Sequence, residues 1–250
     1  MQENERLRRA MTAAHLDVQE VSEATGVDPR TAQRWLKGRV PHARHRWTIA
    51  KLVNEDERYL WPGVDGQRPP GSPATGEVVA AYPHRAEVPP ERWWDLLVGA
   101  KRQVDLLAYA MLFLPETHPR LFDLLRGKAA AGGIVRIAMV DPGARELAER
   151  DAEEGLDGGL VHRVRTSLHY FAEGLGECEG IELRTYAAPL YNSLFRFDED
   201  MFVTPHLYAT HGARAPLLHL RRLGNDGIFD GFAGHFEAIW ASAKPAEAIA

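Results

Sequence analysis

Apolar residues recur with the period of an α-helix over residues 4–61. One stripe runs through the segment from Asn4 to Ala14, and shorter stripes lie further along the chain. Such stripes predict amphipathic helices that each bury one face against a shared core. The other apolar positions are Val18, Val21 and Ala24 in a second helix, Trp47, Ile49, Ala50, Leu52 and Val53 in a later one, and Leu60 and Trp61 at the end of the region.

A glycine separates the second helix from a third. Gly26 is placed to turn the chain, Asp28 to cap the new helix and Pro29 to be its first residue. Gly38 follows the last helical position, where a glycine commonly ends a helix. Ser22 supplies a small side chain where the two helices cross. The segment is therefore predicted to be a helix-turn-helix.

The outer face of the third helix carries Arg and Gln side chains, which suit DNA phosphates and base edges. Across residues 28–53, seven Lys or Arg stand against one acidic residue, and such a basic surface is typical of nucleic-acid-binding proteins. The alternative is an ordinary helix pair with a solvated charged face. The candidate DNA-contacting residues are Arg30, Thr31, Gln33, Arg34, Lys37, Arg39 and Arg44.

The run from Glu3 to Pro62 resembles the helix-turn-helix domain of bacterial Cro/repressor-type regulators, the xenobiotic-response-element family. The sequence GVDPRTAQRWLKG lies at its centre and RYLWP closes it. The resemblance implies an all-α domain that binds double-stranded DNA through the second helix of the motif. It also favours a homodimer, because helix-turn-helix proteins generally read two half-sites.

The pattern of the chain changes after residue 62. The stretch PGVDGQRPPGSPATG is rich in Pro, Gly and Ser, a composition that excludes periodic structure and is typical of linkers. We therefore expect a helix-turn-helix DNA-binding domain at residues 1–62, a linker at residues 63–76 and a second domain at residues 77–250.

Strand-like and helix-like patterns alternate through the second domain. The apolar runs VDLLAYAMLFL and GIVRIAMVD predict strands buried on both faces, and further strands are expected at GEVVAAYP, IELRTYAAP and APLLHLRR. Alternating strands and helices predict an α/β domain with a central mixed sheet. The expected helices span residues Pro89–Gln103, Pro119–Ala131, Gly143–Gly174 with breaks at its glycines, and Gly227–Ala243.

Composition removes several kinds of chemistry. The chain carries 35 acidic and 30 basic side chains, and the acidic excess falls after residue 62, so only the first domain suits a polyanion. The chain has a single cysteine, which excludes an intramolecular disulfide. No apolar run approaches the ~20 residues that cross a bilayer. The sequence has no glycine-rich loop that could bind phosphate and no serine in a nucleophile elbow. It also has no pair of histidines on one helix at the spacing of metal ligands. We expect a cytoplasmic protein without metal, cofactor or membrane partner.

The hairpin sequence YNSLFRFDEDMFVTPHLY holds the remaining candidate chemistry. Its two strands flank an acidic turn, so Tyr191, Ser193 and His206 fall together at the open end. The alternative is a sheet edge whose polar residues only bond one another.

The order of elements from Pro89 to Trp240 resembles one lobe of the phospholipase D superfamily. That family carries His-x-Lys-x4-Asp before a hairpin turn, where the histidine attacks a phosphodiester and the lysine neutralises its oxygens. Matching Asp198 to the motif aspartate places Tyr191 and Ser193 at the histidine and lysine positions. Tyrosine is a weak nucleophile and serine carries no charge, so the resemblance implies a lobe that is no longer an enzyme.

Such a lobe can still hold a small polar molecule, including a phosphate-containing one. The candidate ligand-binding residues are Tyr191, Asn192, Ser193, His206, His219, Tyr109 and His84, with Arg85 and Arg221 near them. We therefore expect a bacterial transcription regulator whose second domain senses an effector, dimerises, or does both. The alternatives are a phosphodiesterase or nuclease with an altered active site that is targeted to DNA, and a module that binds another protein.

Overall fold

The computed structural model describes residues 3–61 and 76–246. The chain divides into two compact units, one formed by Met1–Gly76 with Arg222–Gly227 and the other by Glu77–Arg221 with Ile228–Ala250. Of the predicted linker, residues 63–76, only Gly76 lies within the described residues.

Five helices form the first unit's described part at residues 3–61. The first four lie where the apolar stripes predict helices, and the short fifth helix was not predicted. They are α1 (Glu5–Ala13), α2 (Val18–Thr25), α3 (Pro29–Leu36), α4 (Ala43–Leu52) and α5 (Glu57–Leu60). Leu60 and Trp61 close the core, as predicted. The other core side chains include Leu7, Met11, Val21, Trp35 and Ile49, together with Leu223 from this unit's segment Arg222–Gly227.

Side-chain caps and one glycine fix the boundaries of α2 and α3. Asp17 and Glu20 form a reciprocal capping box at the start of α2. Asp28 Oδ1 accepts the backbone N–H of Arg30 at 2.8 Å and so caps α3. Gly26 ends α2 with a φ of +69°, a left-handed conformation that glycine adopts without strain.

Two of the apolar positions predicted to be buried in the first unit face solvent. Ala24 is exposed, so its predicted place in the inner stripe of α2 is wrong. Val21 and Ser22 are the buried residues of that helix, because α3 and α4 pack on the side that these two residues occupy. Trp47 on α4 is 58% exposed.

Eight strands form one mixed sheet among the described residues of the second unit, in agreement with the predicted α/β architecture. The sheet order is β1-β7-β6-β5-β2-β3-β4-β8, with β2, β3 and β4 parallel and the other pairings antiparallel. The strands are β1 (Val78–Tyr82), β2 (Gln103–Ala108), β3 (Ile134–Val140), β4 (Ile181–Tyr186), β5 (Asn192–Phe197), β6 (Asp200–Pro205), β7 (Leu217–Arg221) and β8 (Lys244–Pro245).

The helices of the second unit largely follow their predicted positions. They are α6 (Pro90–Gly99), α7 (Phe113–Thr117), α8 (Leu121–Ala130), α9 (Arg145–Glu154), α10 (Gly159–Leu175) and α11 (Ile228–Ser242), with a 3₁₀ turn at Arg85–Glu87. The run VDLLAYAMLFL is not one strand: β2 ends at Ala108 and the remainder enters α7. A continuous apolar run does not distinguish a buried strand from a buried helix, which explains the error.

Helices cover both faces of the sheet. Trp93 of α6 packs edge-on against Phe195 of β5, with ring centroids 5.0 Å apart. The next residue on β5, Arg196, points to the opposite face because side chains alternate along a strand. Arg196 lies opposite Asp105 of β2, and Asp105 lies opposite Arg136 of β3, so the three side chains share this face. Helix α11 covers the face, because Arg136 donates to Glu237 of α11.

The carboxyl ends of β2, β3 and β4 meet at one edge of the sheet. Ligands of open α/β sheets generally bind at this edge. The chain leaves β2 there through Tyr109, leaves β3 toward α9 and leaves β4 toward Tyr191. Because β5 is antiparallel to β2, the β5–β6 turn lies at the opposite edge and the open end of the hairpin lies at this one.

Candidate functional sites

The outer face of α3 presents polar side chains to solvent. Ala32, Trp35 and Leu36 are buried, so the helix turns its other side outward. Four of the predicted DNA-contacting residues are exposed on α3 and its C-terminal end, namely Arg30, Gln33, Arg34 and Lys37, and Thr31 is half-buried beside them. Arg39 and Arg44 are exposed in the segment that follows.

The cations of this face differ in what they contact. None of the ion pairs within residues 3–61 includes Arg30, Arg34 or Lys37. Arg46, which also belongs to the basic segment, instead pairs with Glu57 at 2.5 Å and donates to the carbonyl oxygen of Pro41 at 3.0 Å. Arg46 therefore stabilises the fold, whereas the α3 cations remain available to an external anion.

Two features beside α3 were not predicted as functional. Trp47 lies exposed on α4, with the Lys51 ammonium 4.2 Å from its ring centroid. His45 packs against Trp35 at a centroid distance of 5.6 Å. Burial, together with the charges of Arg44 and His42, lowers the pKa of His45. His45 is thus favoured in its neutral form, and the positive charge of the surface comes from Arg and Lys.

Asp198, the residue matched to the phospholipase D aspartate, lies at the edge of the sheet opposite the open end of the hairpin. Its carboxylate accepts the backbone N–H groups of Lys101, Arg102 and Gln103 at 2.8 to 2.9 Å. Burial alone would raise the pKa of Asp198, but these three N–H donors lower it. Asp198 therefore anchors the start of β2 to the hairpin turn and is remote from Ser193.

Ser193 and His206 meet at the open end of the hairpin, as predicted. Ser193 Oγ lies 3.0 Å from His206 Nε2, and the Tyr109 ring packs edge-on against the imidazole at 5.1 Å. His206 Nδ1 is buried and has no hydrogen-bond partner among the described residues. The pair therefore lacks the carboxylate that orients the histidine of a serine hydrolase.

Burial is the main reason why the pKa of His206 is lowered, to about 4, and the positive charges of Arg150 and Arg85 lower it further. Arg150 is itself buried and held by Glu154 at 2.7 Å and Glu153 at 2.9 Å. Arg85 stacks on the Phe113 ring, and burial lowers its pKa to about 10. The imidazole is consequently neutral at neutral pH.

A cavity of about 260 Å³ opens at the carboxyl edge of β2 to β4. Three tyrosines, three glutamates of α9, one arginine, His206 and two apolar residues line it. The glutamates were not predicted, because α9 reaches this edge only through the tertiary arrangement. The lining residues are Tyr109, Glu146, Glu149, Arg150, Glu153, Pro189, Leu190, Tyr191, His206 and Tyr208.

Four of the predicted ligand residues are not part of the lining of this cavity, namely His219, His84, Asn192 and Ser193. His219 is fully buried and contacts Asp200 Oδ1 at 2.8 Å, so its predicted role at the open end is wrong. His84 is exposed, with Nδ1 2.7 Å from the carbonyl oxygen of Arg214. Asn192 pairs with Pro205 in the hairpin and is not part of the lining.

Asp200 carries a buried carboxylate that binds two side chains inside the sheet. It holds both His219 and Arg221, whose Nε donates to Asp200 Oδ1 at 2.9 Å. Burial alone would raise the pKa of Asp200, but these two partners lower it. Arg221, which the sequence placed near the ligand site, is therefore committed to this internal ion pair.

The described residues contain neither a metal-binding cluster nor a helix able to span a membrane. Within residues 3–61 and 76–246, no group of three or more His, Cys, Asp or Glu side chains is arranged to hold a metal ion. None of the helices in these ranges has both the length and the apolar character needed to cross a bilayer.

Comparison with known proteins gives partial likenesses. No protein-family model matches the chain. A segment of 132 residues is 33% identical to UDP-N-acetylmuramate–L-alanine ligase of Mycolicibacterium vanbaalenii, covering 50% of this chain and 26% of the ligase. The chain thus spans about a quarter of that relative's length.

Two solved structures are similar to the fold. TrmBL2, an archaeal chromatin protein with a novel mode of DNA binding, shares 14% identity at a TM-score of 0.42, covering 81% of this chain and 62% of its own. Nuc of Salmonella typhimurium, a phospholipase D family member, shares 15% identity at a TM-score of 0.39, covering 63% and 91%. At these TM-scores the likenesses assign neither fold nor function.

Proposed function

We propose that the protein is a bacterial DNA-binding transcription regulator. The observation that carries this proposal is the outer face of α3, where Arg30, Arg34 and Lys37 are exposed without a carboxylate partner among residues 3–61. A cluster of cations on one face of a helix is the electrostatic feature expected of a nucleic-acid-binding surface. Duplex DNA supplies phosphates along its backbone and acceptor atoms in its major groove.

The geometry of α2 and α3 supports DNA as that anion. Both helices end and begin at fixed caps, and Trp35 anchors α3 in the core, so the outer face is held rigidly. A rigid helix with Arg and Gln at its exposed positions fits the recognition helix of a Cro/repressor-type helix-turn-helix. In this role Arg30, Gln33 and Arg34 contact bases or phosphates, while Lys37, Arg39 and Arg44 contact mainly the backbone.

The second unit acts as the sensing part of the regulator. It binds a small ligand at the Tyr191 and His206 end of the hairpin, and it forms a homodimer that places two recognition helices on two half-sites. The cavity at the carboxyl edge supports ligand binding, since it combines polar groups with apolar walls. The acidic lining argues against a phosphate-containing effector.

We also propose that the second unit has lost phosphodiesterase activity. Ser193 is buried, and His206 has no orienting carboxylate and no neighbouring lysine in the cavity lining. The hydrogen bond between them is the one observation that favours an enzyme. Hydrolysis of bis-p-nitrophenyl phosphate or single-stranded DNA by the full chain, abolished in Ser193→Ala, would establish the enzyme in place of the sensor.

The regulator proposal is tested by selecting DNA from a random duplex library with the full chain. We expect an enriched sequence, and Arg34→Ala should weaken binding to it by ~1–3 kcal/mol, as for a bidentate base contact. Arg163→Ala, an exposed arginine on α10, is the matched control and should bind as the wild type does. Failure to enrich any sequence, or unchanged binding in Arg34→Ala and in Arg30→Ala, contradicts sequence-specific recognition by α3.

A further inference from the structure

One wall of the cavity is a row of carboxylates. Glu146, Glu149 and Glu153 stand three and four residues apart on α9, so they share one face of the helix, and all three line the cavity. Glu146 forms no ion pair among the described residues. The cavity lining therefore holds three carboxylates and one guanidinium, that of Arg150.

The positive groups near the wall are already engaged. The guanidinium of Arg150 donates to Glu153 and Glu154 and also to the carbonyl oxygens of Leu207 and Thr210 at 3.1 and 2.8 Å. Four of its five N–H groups thus donate to acceptors within the protein. Arg145 pairs with Glu149 at 2.7 Å, but its own side chain is exposed and is not part of the cavity lining. The cavity is left with an excess of negative charge.

The lining also contains aromatic rings. Tyr191 and Tyr208 are 69% and 80% exposed, unusually high values for aromatic side chains that line a concave site. Tyr109 lies deeper, with its hydroxyl 3.5 Å from the carbonyl oxygen of Leu190. The faces of such rings carry negative electrostatic potential, and they attract cations within about 6 Å.

We propose that this cavity binds a small organic cation, a quaternary or protonated amine held by the α9 carboxylates together with the rings of Tyr191 and Tyr208. The inference rests on the proposed ligand-binding role and names the chemical class of the ligand. Carboxylates and aromatic rings in one lining together satisfy a cationic head that carries methyl or methylene groups. An anion would face the α9 carboxylates, and the described residues hold no cluster suited to a metal ion.

The dimensions of the cavity limit the ligand further. Pockets for drug-sized molecules measure about 300 to 1,000 Å³, and this one measures about 260 Å³. It therefore suits a single ammonium head with a short substituent. Pro189 and Leu190 supply the apolar contacts for that substituent.

The test compares choline with its neutral carbon isostere, 3,3-dimethyl-1-butanol, on the full chain. Thermal unfolding and isothermal titration calorimetry are run with sodium chloride matched to the choline chloride concentration, and with inorganic phosphate as the anionic probe. We expect choline to raise the melting temperature of the second unit by mass action. The neutral isostere should bind at least about tenfold more weakly, and phosphate should give no shift.

Variants locate the effect in the cavity. Glu146→Gln should weaken choline binding about tenfold, and Glu177→Gln, an exposed glutamate outside the cavity, should leave it unchanged. Tyr191→Ala should weaken binding at least threefold, roughly the value of one cation–π contact, whereas Tyr191→Phe should retain it because the ring remains.

Several outcomes overturn the cation assignment. Equal binding of choline and the neutral isostere would show a purely apolar site, and a shift with phosphate would show an anion site. Absence of any shift with choline and with tetramethylammonium also overturns it. DNA selection by the same protein samples reports separately on the regulator role, so failure of one proposal is distinguishable from failure of the other.

Discussion

The two units use arginine in opposite ways. In the first unit Arg30 and Arg34 project from α3 into solvent, with no ion pair among residues 3–61. In the second unit Arg136 and Arg150 are largely enclosed and held by two carboxylates each. A cation that the fold already neutralises stabilises the fold, whereas one that it leaves unpaired is available to a partner.

Arg136 shows the internal use most fully. Its Nε donates to Asp105 at 2.8 Å, and its two terminal nitrogens donate to Glu237 at 2.9 and 2.7 Å. The guanidinium also lies 4.7 Å from the ring centroid of Phe236. Asp105 is 1% exposed, and burial raises its pKa against the opposing effects of Arg136 and Arg196. Arg136 thus connects β2 and β3 to α11 and keeps a buried carboxylate compensated.

The largest effect is expected from Arg136→Met, which removes a guanidinium that pairs with carboxylates within the fold. It should destabilise the second unit by about 3–5 kcal/mol, because Asp105 is left as a buried charge with weakened compensation. Urea unfolding followed by tryptophan fluorescence measures the loss. The double variant Arg136→Met with Asp105→Leu should recover much of it, since neither charge remains. A loss below about 1 kcal/mol would mean that the ion pairs of Arg136 stabilise the fold no more than exposed ion pairs do.

His206 sharpens the comparison, because burial lowers its pKa and the internal cations Arg150 and Arg85 lower it further. Its folded pKa of about 4 lies below the ordinary value of 6.5, so the unfolded chain binds more protons between these pH values. Stability from the neutral imidazole is present above pH 6.5 and is lost as pH falls toward 4, by about 3 kcal/mol in total.

The measurement compares the free energy of unfolding of the wild type and His206→Gln from pH 7 to pH 4. The wild type should lose about 3 kcal/mol more than the variant over this range. His84→Gln, a change at an exposed histidine, should follow the wild type. Parallel curves for wild type and His206→Gln would mean that the imidazole titrates alike in the folded and unfolded chain.

Local signals explain why the first unit was predictable from sequence. Asp28, Pro29 and Gly26 act on their immediate neighbours, and each stands at the helix boundary that its chemistry favours. The exception is Ala24, whose spacing fits a helical stripe but whose side of α2 is not the one that α3 and α4 cover. A periodic pattern specifies a stripe, and tertiary packing decides which face is buried.

The site in the second unit depended on contacts that sequence order does not reveal. Ser193 and His206 were expected together because one hairpin joins them, and they do meet. Glu146 and Glu149 were missed, since they reach the cavity only through the crossover from β3 to α9. His219 was misplaced, because its strand register opposite Phe202 directs it to Asp200 inside the sheet.

The smallest expected effect concerns Lys37, compared with a lysine of the second unit. If Lys37 contacts one DNA phosphate, Lys37→Ala should weaken specific and random DNA binding alike, and it should reduce the slope of log K against log salt by about one unit. Lys128 is the matched control, because its ammonium donates to the carbonyl oxygens of Val98 and Ala100 within the fold.

Lys128→Ala should therefore leave the salt slope unchanged even though it removes the same formal charge. Fluorescence anisotropy at several salt concentrations gives both slopes. Equal slopes for the two variants would mean that a positive charge contributes to DNA binding wherever it lies on the protein. The distinction between the α3 cations and the paired cations of the second unit would then fail. A slope change confined to Lys37→Ala would mean that counterions are released where the fold leaves a cation unpaired.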